Sequence, residues 1–440
     1  MHPNTTVFEK AIQDAKEDPL DAFISVVGPT SAQLQHATGE LAGIPYAVKD
    51  NIDTVMLPTT ANTPALVGSQ RTHDHEVVTR LNNAGALLVG KTNLHELAFG
   101  ITTGAAAHPA TRNPFDSSRS PGGSSGGSGA AVGSGIVPFA LATDTGGSVS
   151  IPAAWCGVYG YRPSIGRWPS DGRAAPLSKS RDAIGVIAES LDLIQRVDAV
   201  VRDHHTETTP PAKLRIGVPR KGSTYLDPLA DDVQERWEST LEILEQTNTI
   251  ELIEVDTEKL HELDAACGIS IVLYETARDL SAYLAALPEP LTFKQVMDKA
   301  GSDDVRELLT LAWEDRENHE AYGESMNARE QLREEWDRLF TGHDITGFLR
   351  PTTPISPTPV GEDVLTTAFG QEVPTFGTVI RNTGPGSLAG QPAITIPVGV
   401  GTAGLPIGIT VDGNRDQDDA LFALATKVDS HVGIPSPLLQ

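Results

Sequence analysis

Only two cysteines occur in the 440 residues, Cys156 and Cys267, and they stand far apart. That spacing leaves neither a disulfide framework nor a C-x-x-C metal site. The histidines form no H-E-x-x-H pair, so a zinc hydrolase has no support and no metal is expected. No run of about 18 apolar residues is available to span a bilayer. The stretch from Met1 to Pro19 carries charges throughout and lacks the apolar centre of a signal peptide, so a cytoplasmic location is expected. Positive charge is also scarce: 33 Lys and Arg face 58 Asp and Glu, a formal net charge of −25. Such a surface repels nucleic acid and anionic membranes, which excludes both as partners, and reads most simply as a solvated acidic exterior.

Glycine (41) and proline (31) are plentiful, against aromatics at 5%. Many turns and close backbone approaches follow. The length suffices for one large α/β domain or two smaller ones with a substantial core. Residues 7–26 carry a helical pattern through Phe8, Ile12 and Ala15 that ends at Asp18-Pro19. Gly43 to Val48 reads as a strand leading into Lys49, Val77 to Ala84 as a helix, and Ala86 to Lys91 as a buried strand. This is a βαβ rhythm. A polar, proline-containing loop spans 202–213, and Leu214 to Pro219 resumes as a strand. From 227 to about 340 the pattern is helical and heavily charged, as in Asp231 to Gln246 and Arg329 to Leu339. The runs Ala393 to Val398 and Pro406 to Val411 then return as strands that rejoin the central sheet.

Between these lies a serine- and glycine-rich stretch, with 11 glycines from Gly122 to Gly160. A flexible linker would have that composition. Here, however, apolar runs such as Ile136 to Leu141 interrupt it, as a buried sheet with tight turns requires. Gly123-Ser124-Ser125-Gly126-Gly127 fits the G-x-S-x-G nucleophile elbow in letters, but loop-like residues precede it where the elbow needs a strand. Gly127 to Gly133 resembles a loose dinucleotide fingerprint with the same defect. Gly85 to Thr92 fits G-x-x-x-x-G-K-[ST], yet its four central residues are apolar and read as the strand itself, not as a phosphate cradle. What remains is Thr143-Asp144-Thr145-Gly146-Gly147-Ser148, a hydroxyl at the end of a turn rich in unobstructed backbone N–H groups. Acyl transfer needs that combination of nucleophile and oxyanion donors, together with a base.

Residues 121–164, PGGSSGGSGAAVGSGIVPFALATDTGGSVSIPAAWCGVYGYRPS, resemble the defining signature of the amidase signature family. Residues 43–53 (GIPYAVKDNID) resemble its catalytic-lysine segment, and 91–104 and 381–399 match further stretches. The resemblance implies an α/β amidase signature fold, with a large mixed central β-sheet covered by helices on both faces, in one domain over 1–440. Within it, 121–164 forms the signature core and 227–345 a helical, pocket-forming region. It implies Ser148 as nucleophile, Ser124 as relay (typically after a cis peptide) and Lys49 as base. The N–H groups of Thr145, Gly146, Gly147 and Ser148 would form the oxyanion hole, with Ser125 and Asp144 orienting the turn and the lysine. Phe99, Gly100 and Ile101 sit where the family builds one wall of the acyl pocket. No cofactor is implied, and a homodimer is the assembly the resemblance allows.

A lysine acts as a base only when neutral, so its pKa must fall from about 10.4 towards neutrality by desolvation. Pro45-Tyr46-Ala47-Val48 suits such burial, and Asp50 and Asp53 are expected to face elsewhere. Many family members carry an arginine two residues after the nucleophile; here that position is Ser150, which leaves Asp144 in need of another partner. Cys156, Trp155 and Tyr159 read as core, His95 as a hydrogen-bonded structural histidine, and His204-His205 as solvated. The segments 166–190 and 381–390 most resemble indoleacetamide and mandelamide hydrolases. The expected reaction is hydrolysis of a small aryl or short-acyl primary amide to carboxylate and ammonia. Hydrazides, carbamates and urea derivatives are alternative substrates. An alternative of another class is the ammonia-supplying subunit of a tRNA-dependent amidotransferase.

Overall fold

The apolar runs of the sequence become strands buried on both faces, and this fixes the architecture. The computed structural model describes residues 3–28, 38–204 and 214–433. In chain order the strands are β1 (Phe23–Val26), β2 (Pro45–Lys49), β3 (Leu87–Thr92), β4 (Phe139–Asp144), β5 (Tyr159–Arg162), β6 (Ala183–Ala188), β7 (Leu214–Pro219), β8 (Ile250–Val255), β9 (Gly347–Pro351), β10 (Leu365–Ala368), β11 (Gln371–Pro374), β12 (Ala393–Val400) and β13 (Pro406–Asp412). Eleven of them form one sheet in the order β1-β3-β2-β4-β6-β5-β12-β13-β9-β7-β8, while β10 and β11 make a separate hairpin. The sheet is mixed: β2 runs parallel to β3 and β4, β7 parallel to β8 and β9, and the central pairs from β4 to β13 are antiparallel. Every residue of β2, β3, β4 and β13 is buried, as a sheet covered on both faces demands.

Two expectations need correction. The helical pattern at 7–26 ends earlier: the helix is Pro3–Lys16, and Phe23–Val26 is strand β1, paired antiparallel with β3. Pairing on a sheet edge overrides local pattern there. The charged region after 227 is not wholly helical either. Ile250–Val255 (IELIEV) is an edge strand whose partly exposed glutamates mask its register with β7. The remaining helices of that region, Asp231–Glu245, Glu258–Ala285, Phe293–Asp298, Asp303–Asp315 and His319–His343, stand as expected. The 28-residue helix Glu258–Ala285 packs against both Asp303–Asp315 and His319–His343. The loop expected at 202–213 lies outside the described residues from 205 onward, including His205; His204 is exposed. Among the described residues no helix is long and apolar enough to cross a membrane.

Candidate active site

Strand β2 delivers Lys49 at its carboxyl end, wholly buried between β3 and β4. Burial lowers its pKa to about 7, against the opposing pull of Asp144 and Asp182. Its Nζ stands 2.8 Å from Ser124 Oγ, 2.7 Å from Thr143 Oγ1 and 3.4 Å from Thr143 O. A neutral amine has two N–H donors and one lone pair. In the neutral form the two oxygens of Thr143 can take the donors, which would leave the lone pair for the Ser124 hydroxyl proton. Asn51 Nδ2 also donates to Thr143 Oγ1, at 3.1 Å. The neighbouring carboxylates face away, as expected. Asp50 pairs with the buried Lys91 at 3.0 Å, and Asp53 accepts from Arg71 Nε at 3.0 Å and Tyr283 OH at 2.8 Å. Lys91 thus lies within β3 in an ion pair, not in a phosphate loop.

Ser124 follows a cis peptide bond from Gly123 and is wholly buried. The loop before it bears out rejection of the elbow reading, since the preceding element is no strand. The helix Gly126–Gly133 begins two residues later, and its glycines permit contact that a side chain would block. A Cβ on Gly127 would lie 2.4 Å from the Asn93 backbone nitrogen. Ser125 Oγ donates to Thr143 O at 3.2 Å, so Ser125 reaches the lysine through Thr143 and not directly.

Beyond β4 the chain turns through Thr145, Gly146 and Gly147 to Ser148, which is 8% exposed where Ser124 and Lys49 are fully enclosed. Asp144 organises the turn. Its carboxylate accepts the N–H of Gly147 at 2.9 Å and of Val149 at 2.7 Å. The Gly147 N–H, expected in the oxyanion hole, is thus committed to Asp144. Gly147 has φ +129°, and a Cβ there would meet Thr383 Oγ1 at 2.2 Å, so this position demands glycine. The partner that Asp144 lacks at Ser150 comes from Arg162 on β5, whose Nε donates to it at 3.0 Å. Ser387 Oγ adds a further bond at 3.1 Å.

A cavity of about 470 Å³ abuts this cluster, lined by Asn51, Thr143 and Thr145 at one end and by Trp168, Leu177 and Tyr283 among its apolar walls. Asp182 also lines it, accepting from Thr145 Oγ1 at 2.5 Å. Phe99 packs in the hydrophobic cluster that includes Ala175, Leu177 and Tyr283, behind the cavity wall. Gly100 lies against the His95 ring, and the Ile101 backbone abuts Gly123. His95 is structural, bonded to Asp304 at 3.1 Å and Thr102 at 3.2 Å. Cys156 is buried against Pro121 O. Sequence reasoning missed Thr143, Asn51, Arg162 and Asp182. Thr143 lies near the end of β4 and Thr145 just beyond it, within the motif that carries Ser148.

The family model described as Amidase matches residues 15–422. The chain belongs to the amidase family. It is an amide-hydrolysing enzyme with the amidase fold. It is 36% identical over 401 residues to an indoleacetamide hydrolase of Agrobacterium vitis, covering 90% of this chain and 85% of that one. It is 35% identical over 444 residues to a mandelamide hydrolase of Pseudomonas putida, covering 94% and 85%. A solved amidase crystal structure superposes with a TM-score of 0.84 at 29% identity, covering 98% of this chain and 96% of the other.

Proposed function

We propose that this amidase hydrolyses a primary amide of an aryl-substituted or short acyl acid through an acyl-enzyme on Ser148. The observation that carries the reading is the buried Lys49 Nζ at 2.8 Å from Ser124 Oγ, with burial lowering the amine towards neutrality. Neutral Lys49 takes the Ser124 proton as Ser124 takes that of Ser148. Ser148 Oγ bonds to the carbonyl carbon, and the N–H groups of Thr145, Gly146 and Ser148 receive the oxyanion. Collapse breaks the C–N bond, the relay returns the proton to the leaving ammonia, and water hydrolyses the ester. No step calls on a cofactor. The apolar cavity beside Thr143 and Thr145, and relatives named for indoleacetamide and mandelamide, support an aryl acyl group. On this reading the chain is one catalytic domain in which 227–345 supplies a pocket wall. The reading also extends to a cytoplasmic homodimer, which light scattering and cell fractionation would test.

The test is ammonia release from indoleacetamide, mandelamide, benzamide, a short aliphatic amide and glutamine, run beside Ser148→Ala. Aryl-amide turnover that the substitution abolishes supports both nucleophile and substrate class. Turnover of glutamine alone favours an ammonia-supplying subunit, and turnover only of hydrazides or carbamates moves the substrate class. Full activity in Ser148→Ala rules out the nucleophile.

A further inference from the structure

The two limbs of the Thr145–Ser148 turn are held by two different carboxylates. Asp144 grips the far limb through the Gly147 and Val149 N–H groups. The near limb, Thr145, lines the cavity together with Asp182. Its Oγ1 donates to Asp182 Oδ1 at 2.5 Å. Asp182 is itself fixed, because its Oδ2 accepts the N–H of Leu177 at 2.9 Å and of Ser178 at 3.0 Å. It stands one residue before β6, whose Ala183 lies in register with Asp144 of β4, so the sheet sets the separation of the two carboxylates. A hydroxyl-to-carboxylate bond is among the stronger hydrogen bonds, and oxyanion stabilisation depends on donors already aimed when charge develops.

We propose that Asp182 is a positioning residue of the oxyanion turn: through the Thr145 hydroxyl it fixes the direction of the Thr145 N–H, and so the hole that receives the oxyanion. The proposal rests on Ser148 being the nucleophile. Its charge has a second consequence. Asp182 and Asp144 both raise the pKa of Lys49. Burial raises the Asp182 carboxyl to about 6, opposed by Arg181 of its own segment, and Lys179, Asp279 and His75 are among the charged or titratable groups around the cavity. Removing the Asp182 charge therefore lowers the pKa of the base and moves the acid limb of the rate profile to lower pH.

The experiment compares Thr145→Val, Thr145→Ser, Asp182→Asn and the Thr145→Val/Asp182→Asn double variant by kcat, KM and pH profile, with Ser148→Ala as control. Thr145→Val and Asp182→Asn should each lose on the order of 10- to 100-fold in kcat with KM changed by no more than about 2-fold. Thr145→Ser, which keeps the hydroxyl, should stay within about 3-fold of wild type, and the double variant should fall no further than the worse single one. The acid limb should move down in Asp182→Asn and stay in place in Thr145→Val. Unchanged kcat in Thr145→Val, losses that multiply in the double variant, or losses confined to KM would each overturn the proposal. Thr145→Val is isosteric and carries the test alone if Asp182→Asn does not fold. An active Ser148→Ala instead sinks the nucleophile reading; a dead Ser148→Ala beside a fully active Thr145→Val sinks only the role of Asp182.

Discussion

The signature core at 121–164 and the helical region at 227–345 belong to one chain but obey different constraints. Every residue from Pro121 to Val132 is buried, and so is every residue from Phe139 to Arg162. The helix His319–His343 instead buries one stripe (Ser325, Arg329, Leu332, Trp336, Leu339 and Phe340) and leaves many other positions in water. Their glycines show the contrast. A Cβ on Gly127 meets backbone at 2.4 Å, whereas a Cβ on Gly323 meets nothing within 4 Å. In the core, backbone lies against backbone around Ser124 and Ser148, so geometry dictates residue type. The helical region reaches the cavity through Asp279, Ala282, Tyr283 and Ala286. On the proposed function the core would set the reaction, and the helices would bear on which amide undergoes it.

Four substitutions sharpen or break that division. The largest effect is expected from Lys49→Met, which removes the base and should cost on the order of 10⁴-fold in kcat, read by ammonia release. On the proposed mechanism the same lysine should give the unsubstituted enzyme its pH dependence. With its pKa lowered to about 7, only the deprotonated amine accepts the Ser124 proton, so kcat/KM should rise through that pH and level off above it. Next comes Gly127→Ala, which drives a methyl into the Asn93 backbone and should cost about 1–3 kcal/mol in denaturant unfolding. A core that absorbed it without loss would contradict the claim that backbone contact fixes these glycines. Ala282→Phe narrows the cavity from the helical side and should shift the ratio of kcat/KM between a bulky and a short amide by about 10-fold or more, with the short amide little affected. Equal loss on both would mean that the helices do not discriminate. The smallest effect belongs to Gly323→Ala, expected to stabilise by about 0.5–1 kcal/mol in thermal unfolding, since the helix gains propensity at an open position.

The same division governs how far the sequence could be read. The strands at 45–49, 87–92 and 393–400 were legible because burial on both faces writes itself as an unbroken apolar run. Strand β8 was not, because an edge strand with exposed glutamates looks like the charged helices around it. Lys49, Ser124 and Ser148 were legible from their motifs. The partners that make the site work are remote in sequence: Arg162 for Asp144, and Asp182 for Thr145. Leu97 and Ala98 beside the cavity adopt left-handed backbone (φ 51° and 64°), with the Leu97 N–H bonded to Ala61 O; no local residue preference forecasts this.

By itself, then, the sequence determined the βαβ rhythm of the N-terminal half, the buried strands and the identity of the serine–serine–lysine set, because periodicity and motif spacing are properties of the covalent chain. Tertiary structure decided the protonation of Lys49, on which its proposed role as base depends. Its basicity depends on how much water and which charges surround Nζ. Those are set by the register of β2 between β3 and β4 and by the turning of the buried Asp50 and Asp53 to Lys91 and Arg71. Tertiary structure likewise decided that the Gly147 N–H serves Asp144, because a backbone donor points where the folded turn aims it.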